Sequence, residues 1–313
     1  MNFKYSVDNK RYHTLNYYNM QKYGRKVYKA AVNAGLTCPN IDGTLGTGGC
    51  IYCESGSAYF TNKNLSVSEQ ISAEINRINK NGRENRFIAY FQSNTNTYTD
   101  VEMLKNMIET AFSFDEIVGV TLSTRTDCID DEKLELLLKL SEKKEISLEF
   151  GLQTVHNETL ELINRCQTFE SFLKGYEKVK ASGLRSCIHI INGLPYETEE
   201  MMLETAKEVG KLLPKGIKIH MLHISKGTAL AKMYGKKPFD LLSRDEYINI
   251  VVKQLELIPP ATVIERLTGD GDKTKLIAPL WTADKIAVLG GIDKKMAELD
   301  TFQGKKLETV IKK

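Results

Sequence analysis

The chain has 313 residues, enough to bury a large core as one barrel or as a barrel with a small appendage. Its hydrophobic fraction of 42% and charged fraction of 27% are ordinary for a soluble globular protein, and no run approaches the ~18 apolar residues of a membrane span. A net charge of +3 is too small to establish a nucleic-acid partner and only permits one. The first residues lack the apolar core of a signal peptide, which predicts a cytoplasmic protein.

Residues 1–24 are polar and rich in tyrosine, which predicts an N-terminal extension lying over the fold. These tyrosines have two interpretations, packing on the protein or stacking on a nucleic-acid base. A strand is predicted at 26–33, and the segment from Cys38 to Cys53 follows it. Five residues between these two cysteines are Gly or Pro, so the segment is predicted to be a loop that folds closely around something small.

Three of the six cysteines, Cys38, Cys50 and Cys53, lie in this cysteine loop. A Cys-x-x-Cys pair brings two thiolates to one metal centre, and the loop brings the thiolate of a third cysteine to the same centre. A structural zinc site closes with four protein ligands, and no other Cys or His lies nearby in the sequence. Three sulfurs suit a four-iron cluster that keeps one iron open for a ligand. The spacing also leaves open a zinc knuckle completed by a distant His, or a simple surface loop.

A regular alternation of helices and strands is predicted after the cysteine loop. Ser66 and Glu69 form a capping box, and Asp100 caps the next helix. The predicted strands lie at 86–92, 118–124, 146–153, 184–193 and 216–224. The predicted helices begin at 66 and 100 or span 130–144, 158–164, 168–182 and 198–213, the last with Leu213 on its apolar face. This alternation favours parallel βα units, as a barrel or a doubly wound sheet.

The pattern loosens beyond about residue 231, where a helix is predicted at 245–257 and a further strand at 262–267. Residues 231–313 are therefore predicted to be an elaboration packed on the body of the fold at 25–230. Isolated cysteines in the chain do not form a secreted disulfide framework. The three cysteines outside the cysteine loop, Cys128, Cys166 and Cys187, are predicted to be ordinary thiols.

Polar side chains recur where the predicted strands end. In a parallel β/α barrel the working residues lie at the carboxyl ends of the strands, so these side chains would line one mouth. They are Gln92 to Asn96, Arg125 with Asp127, Glu149 with Gln153, His189 with Asn192, and His220 with His223.

The pattern Cys-x11-Cys-x2-Cys, with Tyr52 before the last cysteine, resembles the cluster loop of radical S-adenosylmethionine (SAM) enzymes. Its long first gap is a feature of the branch that includes the catalytic subunit of Elongator, and nearly the whole chain resembles the bacterial YhcC-type proteins of that branch. The resemblance implies an α/β fold, an open, partial (β/α)6 TIM-like barrel. It also implies a [4Fe–4S] cluster on Cys38, Cys50 and Cys53, with SAM as the second cofactor and Tyr52 beside them.

The segment from Glu149 to Gln153, followed by Arg165, resembles the strand-four signature shared by Elongator-like enzymes and oxygen-independent coproporphyrinogen oxidases. The resemblance implies that Glu149 lies in the cofactor site, that Gln153 contacts the SAM ribose, and that Arg165 meets the methionine carboxylate. A planar guanidinium suits a carboxylate because it forms two parallel hydrogen bonds.

Residues 190–197 resemble the strand-five segment that holds adenine through backbone groups, which implies a role for Asn192 and Gly193. His189 stands where Elongator-like proteins also carry His. Ser123 replaces the Glu that relatives can use for the methionine amino group, so no residue is assigned to that contact.

The resemblance implies that SAM is cleaved to a 5′-deoxyadenosyl radical with an electron from a reduced flavodoxin or ferredoxin. It also implies tRNA as the partner, with modification of a C5 side chain on the wobble uridine. The sequence ends without room for Elongator's acetyltransferase domain, so different completing chemistry is expected. Phosphate contacts are predicted at basic residues around the mouth and tail. They are Lys22, Arg25, Lys26, Lys236, Lys237, Lys305, Lys306, Lys312 and Lys313.

Other functional classes stay open. One is a zinc-stabilised RNA-binding module without catalysis, and another is a radical SAM enzyme acting on a small molecule or a protein. A SAM-dependent methyltransferase is disfavoured, because no glycine-rich loop of the dinucleotide-binding type follows the first strand.

Overall fold

The computed structural model of the protein describes residues 3, 5, 8, 10–54, 61–80, 84–269 and 271–307. The strands within these residues are β1 Val27–Val32, β2 Arg86–Phe91, β3 Ile117–Thr124, β4 Glu145–Gln153, β5 Arg185–Asn192, β6 Gly216–Met221, β7 Ile224–Ser225, β8 Val263–Arg266 and β9 Leu276–Ala278.

Seven of these strands form one parallel sheet in the order β1-β2-β3-β4-β5-β6-β8. The sheet curls into a half-barrel with helices packed against it, which confirms the predicted partial TIM-like barrel. Its strands are rich in buried apolar residues, as parallel strands covered by helices require. Because the strands run in parallel, all their carboxyl ends meet at one edge of the half-barrel.

The helices are amphipathic segments with polar caps. Ser66 and Glu69 form the predicted capping box, and the Asp100 side chain accepts a hydrogen bond from the Met103 amide. The helices are α1 Leu15–Tyr23, α2 Val67–Ile78, α3 Val101–Phe112, α4 Asp131–Ser141, α5 Asn157–Leu162, α6 Phe169–Ser182, α7 Glu199–Lys211, α8 Ala229–Lys236, α9 Arg244–Leu257 and α10 Lys285–Glu298. Among the described residues, none of these helices is long and apolar enough to cross a membrane.

Two sequence-based expectations need correction near α7 and β6. Leu213 was expected on the inner face of α7, but it follows the end of the helix and is 61% exposed. Pro214 disfavours a right-handed helical conformation at the residue before it, and Leu213 takes a φ of 54°. The strand predicted at 216–224 is two strands, because β7 leaves the barrel and pairs antiparallel with β9.

The seventh strand of the sheet comes from the C-terminal region. β8 pairs in parallel with β6, with Val263 opposite Gly216 and Ile264 opposite Ile217. The strand predicted at 262–267 is therefore confirmed, as a barrel strand beyond the six that the resemblance implied. Division of the chain at residues 24 and 230 remains a prediction, and the sheet runs across the second of these boundaries.

The N-terminal region covers the end of the barrel where the strands begin. The Ile264 amide of β8 donates to the His13 carbonyl at 2.7 Å. Tyr18 and Tyr23 of α1 donate to the carboxylate of Glu145, the first residue of β4, at 3.0 and 3.1 Å. These two tyrosines thus pack on the protein, at the end of the barrel opposite the cysteine loop.

Candidate active site

A cavity of about 360 Å³ opens at the carboxyl ends of the barrel strands. Every barrel strand except β1 contributes lining residues at its end, and the cysteine loop after β1 forms another wall. The residues predicted from the sequence that line it are Cys38, Cys50, Tyr52, Cys53, Gln92, Asn94, Ser123, Arg125, Glu149, Gln153, Arg165, His189, His220 and His223. Parallel β/α barrels place their active sites at this edge, so the cavity is the candidate active site.

Backbone turns bring the loop cysteines to one side of the cysteine loop. The Cys53 amide donates to the Cys50 carbonyl at 2.9 Å, and the Ile41 amide donates to the Cys38 carbonyl at 2.8 Å. Gly48 and Gly49 have φ values of 79° and 76°, a conformation that favours glycine directly before Cys50. The glycines predicted to let this loop fold tightly are therefore used for that purpose.

Two asparagines hold the loop in place, Asn40 within the loop and Asn164 outside it. The Asn164 side chain donates to the Gly49 carbonyl at 2.8 Å, and the Asn40 side chain donates to the Asn164 carbonyl at 2.5 Å. The Asn40 amide also lies 3.6 Å from the Cys50 sulfur. Asn164 follows α5, so the cysteine loop is attached to the barrel through the segment between β4 and α6.

The three loop thiols lie close enough to influence each other. Burial, followed by the neighbouring Cys50 and Cys38 thiols, raises the pKa of Cys53 to about 12. Within the described ranges, no three Cys, His, Asp or Glu side chains are close enough to hold one metal ion. A four-iron cluster does not require that closeness, because each thiolate binds a different iron. Three free thiols that converge on one cavity wall fit such a cluster, which Cys38, Cys50 and Cys53 would hold.

Glu149 is the centre of a buried charge network on the cavity floor. It is 1% exposed, and its Oε2 atom accepts hydrogen bonds at 2.6 Å from both Lys218 of β6 and Tyr90 of β2. Lys29 of β1 lies 3.3 Å from its Oε1 atom. Burial alone would raise the pKa of Glu149, but Lys218 and then Lys29 hold it well below its usual range. This carboxylate is therefore ionised and accepts hydrogen bonds from protein donors, and its role in the cofactor site remains a prediction.

Two histidines stand beside this network. His189 Nε2 lies 3.1 Å from Glu149 Oε2, and the His220 ring centroid lies 5.3 Å from that of His189. Burial is the main cause of a lowered pKa for both histidines, and it is reinforced at His220 by His189. Both imidazoles are therefore neutral near pH 7, and they present hydrogen-bonding groups to the cavity without adding charge.

Arg165 reaches the cavity wall from the segment after α5. Its Nε and Nη2 atoms both donate to the Gly151 carbonyl, at 3.0 and 2.7 Å. Its Nη1 atom has no partner in the part of the chain that the structure describes. A Cβ on Gly151 would clash with the Gln153 amide, so glycine at this position lets the Gln153 side chain fold back beside Arg165. The structure thus brings the two predicted SAM ligands together.

Arg125 is a structural support for this wall. It is 2% exposed and forms two hydrogen bonds with Asp127, at 2.8 and 2.6 Å. It also donates to the carbonyls of Arg165 and Cys166, both at 3.0 Å. Arg125 and Asp127 therefore fix the backbone that carries Arg165, and four of the five Arg125 N–H donors are used for this.

Asn192 and Gly193 lie outside the cavity lining. The Asn192 side-chain amide is 2% exposed and pairs reciprocally with Gln254 of α9, at 2.8 Å in both directions. Gly193 has a φ of 84° and packs under Leu242. The Asn192 side chain is thus occupied in the core, and a contact of this segment with adenine through its backbone remains a prediction.

Most of the predicted phosphate-binding residues lie at the wrong end of the barrel for the cavity. Lys22 pairs with Glu145 where β4 begins, and Lys306 pairs with Glu256 near the end of α9. Arg25 and Lys26 directly precede β1, and Lys305 neighbours Lys306. Two predicted cations, Lys236 and Lys237, lie at the end of α8 on the side of the cysteine loop, and Lys312 and Lys313 lie outside the described residues.

Sequence reasoning missed Lys29, Tyr90 and the loop after β8. Lys29 and Lys218 each interrupt an apolar strand, which is a signal of a buried polar contact. Asp272 and Lys275 line the cavity from the loop after β8, and Lys275 pairs with Glu54 of the cysteine loop at 3.0 Å. No local pattern indicates that pairing, because its partners are far apart in the sequence.

Comparison with known proteins agrees with this geometry. The radical SAM superfamily profile matches residues 43–209, and the Radical_SAM C-terminal domain profile matches residues 214–298. Cys50 and Cys53 lie inside the first range, and Cys38 precedes it. The archaeal Elp3 structure of Methanocaldococcus infernus has a similar fold, with a TM-score of 0.69 at 20% identity, covering 88% of this chain and 64% of that chain.

Several curated proteins are similar in sequence. YtqA of Bacillus subtilis is 43% identical over 97% of this chain and 95% of its own length. YhcC of Escherichia coli is 34% identical over 89% of this chain and 90% of its own length. A tRNA uridine(34) acetyltransferase of Methanocaldococcus jannaschii is 27% identical over 51% of this chain, which spans only 30% of that protein. The prediction of a YhcC-type, Elongator-like protein is thus confirmed. Because the superfamily profile covers more than half of the chain and YtqA and YhcC align along most of it, the chain belongs to the radical SAM superfamily.

Proposed function

We propose that this protein binds a [4Fe–4S] cluster and SAM in the barrel cavity and is a radical SAM enzyme. The observation that carries the proposal is the convergence of Cys38, Cys50 and Cys53 on the cavity at the carboxyl ends of the strands. When bound, the cluster would supply the electron, delivered by a reduced flavodoxin or ferredoxin, that splits SAM into methionine and a 5′-deoxyadenosyl radical.

The residues of the chain bind and orient SAM under this proposal. The Arg165 Nη1 atom pairs with the methionine carboxylate, while its other two donors stay on Gly151 and fix the guanidinium plane. Gln153 contacts the ribose, and the backbone of Asn192 and Gly193 meets the adenine. Glu149 orients the His189 imidazole beside the SAM site. Tyr52 excludes water beside the cysteines.

The substrate that we propose is a tRNA, with a C5 side chain of the wobble uridine as the reacting group. The partial similarity to a tRNA uridine(34) acetyltransferase supports this choice, and so does the Elongator-like fold. A concave cavity at the strand ends suits a single extruded base, which single-stranded RNA loops can present, better than a folded RNA helix.

Removing the Arg165 guanidinium is expected to weaken SAM binding. An Arg165→Ala substitution deletes a charge-assisted pair in a largely buried place, which costs about 1.5–3 kcal/mol of binding free energy. Equilibrium dialysis of SAM with the reconstituted protein measures the effect, and Arg77→Ala, on the exposed face of α2, is the matched control. Iron content should be normal in both variants. Unchanged SAM affinity in Arg165→Ala would show that this residue only supports the loop.

Two assays test the proposed function. Anaerobic reconstitution with iron, sulfide, SAM and dithionite should yield 5′-deoxyadenosine, and a colourless protein that holds zinc would support the RNA-binding module instead. Nucleoside mass spectrometry of tRNA from a deletion strain should show an altered wobble uridine. Formation of 5′-deoxyadenosine with unaltered tRNA would keep the radical SAM assignment and redirect the substrate to a small molecule or a protein.

A further inference from the structure

An aromatic cluster lies at the rim of the barrel, outside the cavity. Tyr196 follows β5 and is 56% exposed, and its ring centroid lies 5.9 Å from that of Phe239. Phe239 is 8% exposed and lies 5.3 Å from the Tyr234 ring of α8. An exposed aromatic ring therefore rests on a buried one, which gives it a firm support.

The backbone holds Tyr196 outward in an unfavourable conformation. Its φ of 66° lies in the left-handed region, which a tyrosine seldom adopts. The next residue anchors the turn, because the Glu197 carboxylate accepts a hydrogen bond from Thr154 at 2.6 Å and the Glu197 amide donates to the Leu194 carbonyl at 3.1 Å. Strained residues that a structure holds firmly in place concentrate at binding sites.

The same cluster connects with the wall of the cavity. Phe239 belongs to a small apolar core that also contains Leu194 and Leu230, and Tyr52 of the cysteine loop packs against that core. The Leu230 amide donates to the Ile51 carbonyl at 2.8 Å, so α8 is fixed directly to the cysteine loop. Tyr52 itself lines the cavity. The apolar core that supports Tyr196 through Phe239 is therefore the same core that supports Tyr52 of the cavity wall.

Three exposed lysines, Lys232, Lys236 and Lys237, lie on or directly after α8, the helix that also carries Tyr234. None of them has an ion-pair partner among the described residues, whereas Lys22 and Lys306 at the opposite end of the barrel are paired with Glu145 and Glu256. Unpaired lysines on the helix that also carries Tyr234 favour an anionic ligand, and the exposed ring of Tyr196 favours a ligand with flat groups. We name this surface the aromatic–lysine rim, consisting of Tyr196, Tyr234, Phe239, Lys232, Lys236 and Lys237.

We propose that the aromatic–lysine rim binds a single-stranded loop of RNA, with a base stacked on Tyr196 and phosphates on the lysines. This inference rests on the proposed function and names the surface that would hold the RNA beside the cavity. Stacking on an aromatic ring accepts any base, and lysines bind the backbone without reading sequence. The rim would therefore position the loop, and the cavity would select the base.

A stacking test compares two replacements of Tyr196 in the anaerobically reconstituted protein with SAM. The probe is a fluorescent anticodon stem-loop with uridine at the wobble position. Tyr196→Asn removes the ring with a residue that tolerates left-handed φ, and its affinity is expected to fall about tenfold. Tyr196→Trp keeps a stacking surface, and its affinity should stay within about twofold of the wild type.

A salt series tests the lysines, with a matched pair from the other end of the barrel as control. Replacing both Lys236 and Lys237 with alanine should reduce the slope of log affinity against log salt by about 1.4, since each phosphate contact on a single strand contributes about 0.7. Replacing Lys305 and Lys306 should leave the slope unchanged. Both double substitutions remove two positive charges. A difference between their salt slopes therefore shows that the position of the lysines matters, and not only the net charge.

The outcomes separate this inference from the proposed function. Wild-type binding that neither Tyr196→Asn nor the Lys236/Lys237 pair weakens would overturn the rim and leave tRNA as the substrate. Equal losses in Tyr196→Asn and Tyr196→Trp would also exclude stacking. No binding of the stem-loop or of whole tRNA at low salt would overturn both the rim and the proposed tRNA substrate, and it would leave the radical SAM assignment to the 5′-deoxyadenosine assay. A flavodoxin that binds the wild type and not the lysine variant, while RNA binding is unchanged, would assign the rim to the electron donor. If Tyr196→Asn does not fold, the salt series with the Lys236/Lys237 double variant tests the rim, because both lysines are exposed.

Discussion

Replacing Cys53 with alanine is expected to abolish cluster assembly, with iron falling to background after anaerobic reconstitution. Cys50 and Cys53 are joined by a single backbone turn, and Cys38 approaches from the start of the loop. Loss of any one thiol leaves two ligands for a cluster that needs three, so a second iron loses its protein ligand. Cys38→Ala and Cys50→Ala should behave in the same way. Iron and sulfide content, together with visible absorbance, measure the effect.

The matched control for this experiment is Cys128→Ala. This thiol lies near the same region, with its sulfur 3.6 Å from Asp127, but it is not on the cavity lining. Its iron content and absorbance should equal those of the wild type. A Cys53→Ala protein with full iron content and normal SAM cleavage would refute the proposed cluster ligands, and an iron loss in Cys128→Ala would mean that the loop is merely sensitive to packing.

The barrel itself could be predicted because its signals are local. The capping box at Ser66, the cap at Asp100 and the buried stripe of Leu104, Met107 and Ile108 each depend on residues within a few positions of each other. The cysteine loop is equally local, since its glycines and its three cysteines occupy one short segment. Alternating elements then leave few arrangements, and the parallel sheet fixes which strand ends meet.

The buried network could not be predicted, because its members come from distant strands. Lys29, Glu149 and Lys218 lie on β1, β4 and β6, and only the curled sheet brings them together. The prediction that Glu149 faces the cavity therefore gave the correct location and an incomplete set of partners. The Lys275–Glu54 pair between two loops has the same explanation.

The basic residues show a different limit of sequence reasoning. Arg25 and Lys26 precede the cysteine loop closely in the chain, which suggested that they lie near the cavity. A strand separates them from the loop, and six residues of strand span about 20 Å. Sequence proximity thus identified the correct strand for these cations. They lie at the amino end of that strand, whereas the cavity lies at its carboxyl end. Lys236 and Lys237 were predicted as members of the same basic set, and α8, which ends at Lys236, is attached to the cysteine loop.

Replacing Lys218 with methionine is expected to destabilise the fold by about 3–5 kcal/mol, because it leaves the Glu149 carboxylate buried without its main counter-charge. Both side chains are 1% exposed, and their atoms are 2.6 Å apart. Lys29 and Tyr90 still contact Glu149, which favours the lower end of that range. Urea unfolding of the reconstituted protein measures the change. Lys211→Met is the matched control, since its pair with Glu208 is exposed and worth at most about 1 kcal/mol.

The pH dependence of this loss distinguishes charge from packing. Lys218 and Lys29 hold the pKa of Glu149 well below its usual range in the folded protein, so the ionised carboxylate stabilises the wild type above a pH of about 4.5. That contribution is lost as the pH falls through the lower folded pKa. In Lys218→Met the folded pKa of Glu149 rises, so the difference in unfolding free energy from the wild type should shrink between about pH 7 and about pH 4. Adding Glu149→Gln to Lys218→Met removes the unpaired charge and should recover much of the loss at neutral pH. An equal loss at both pH values, with no recovery in the double variant, would contradict the charge explanation and indicate a packing defect in the barrel.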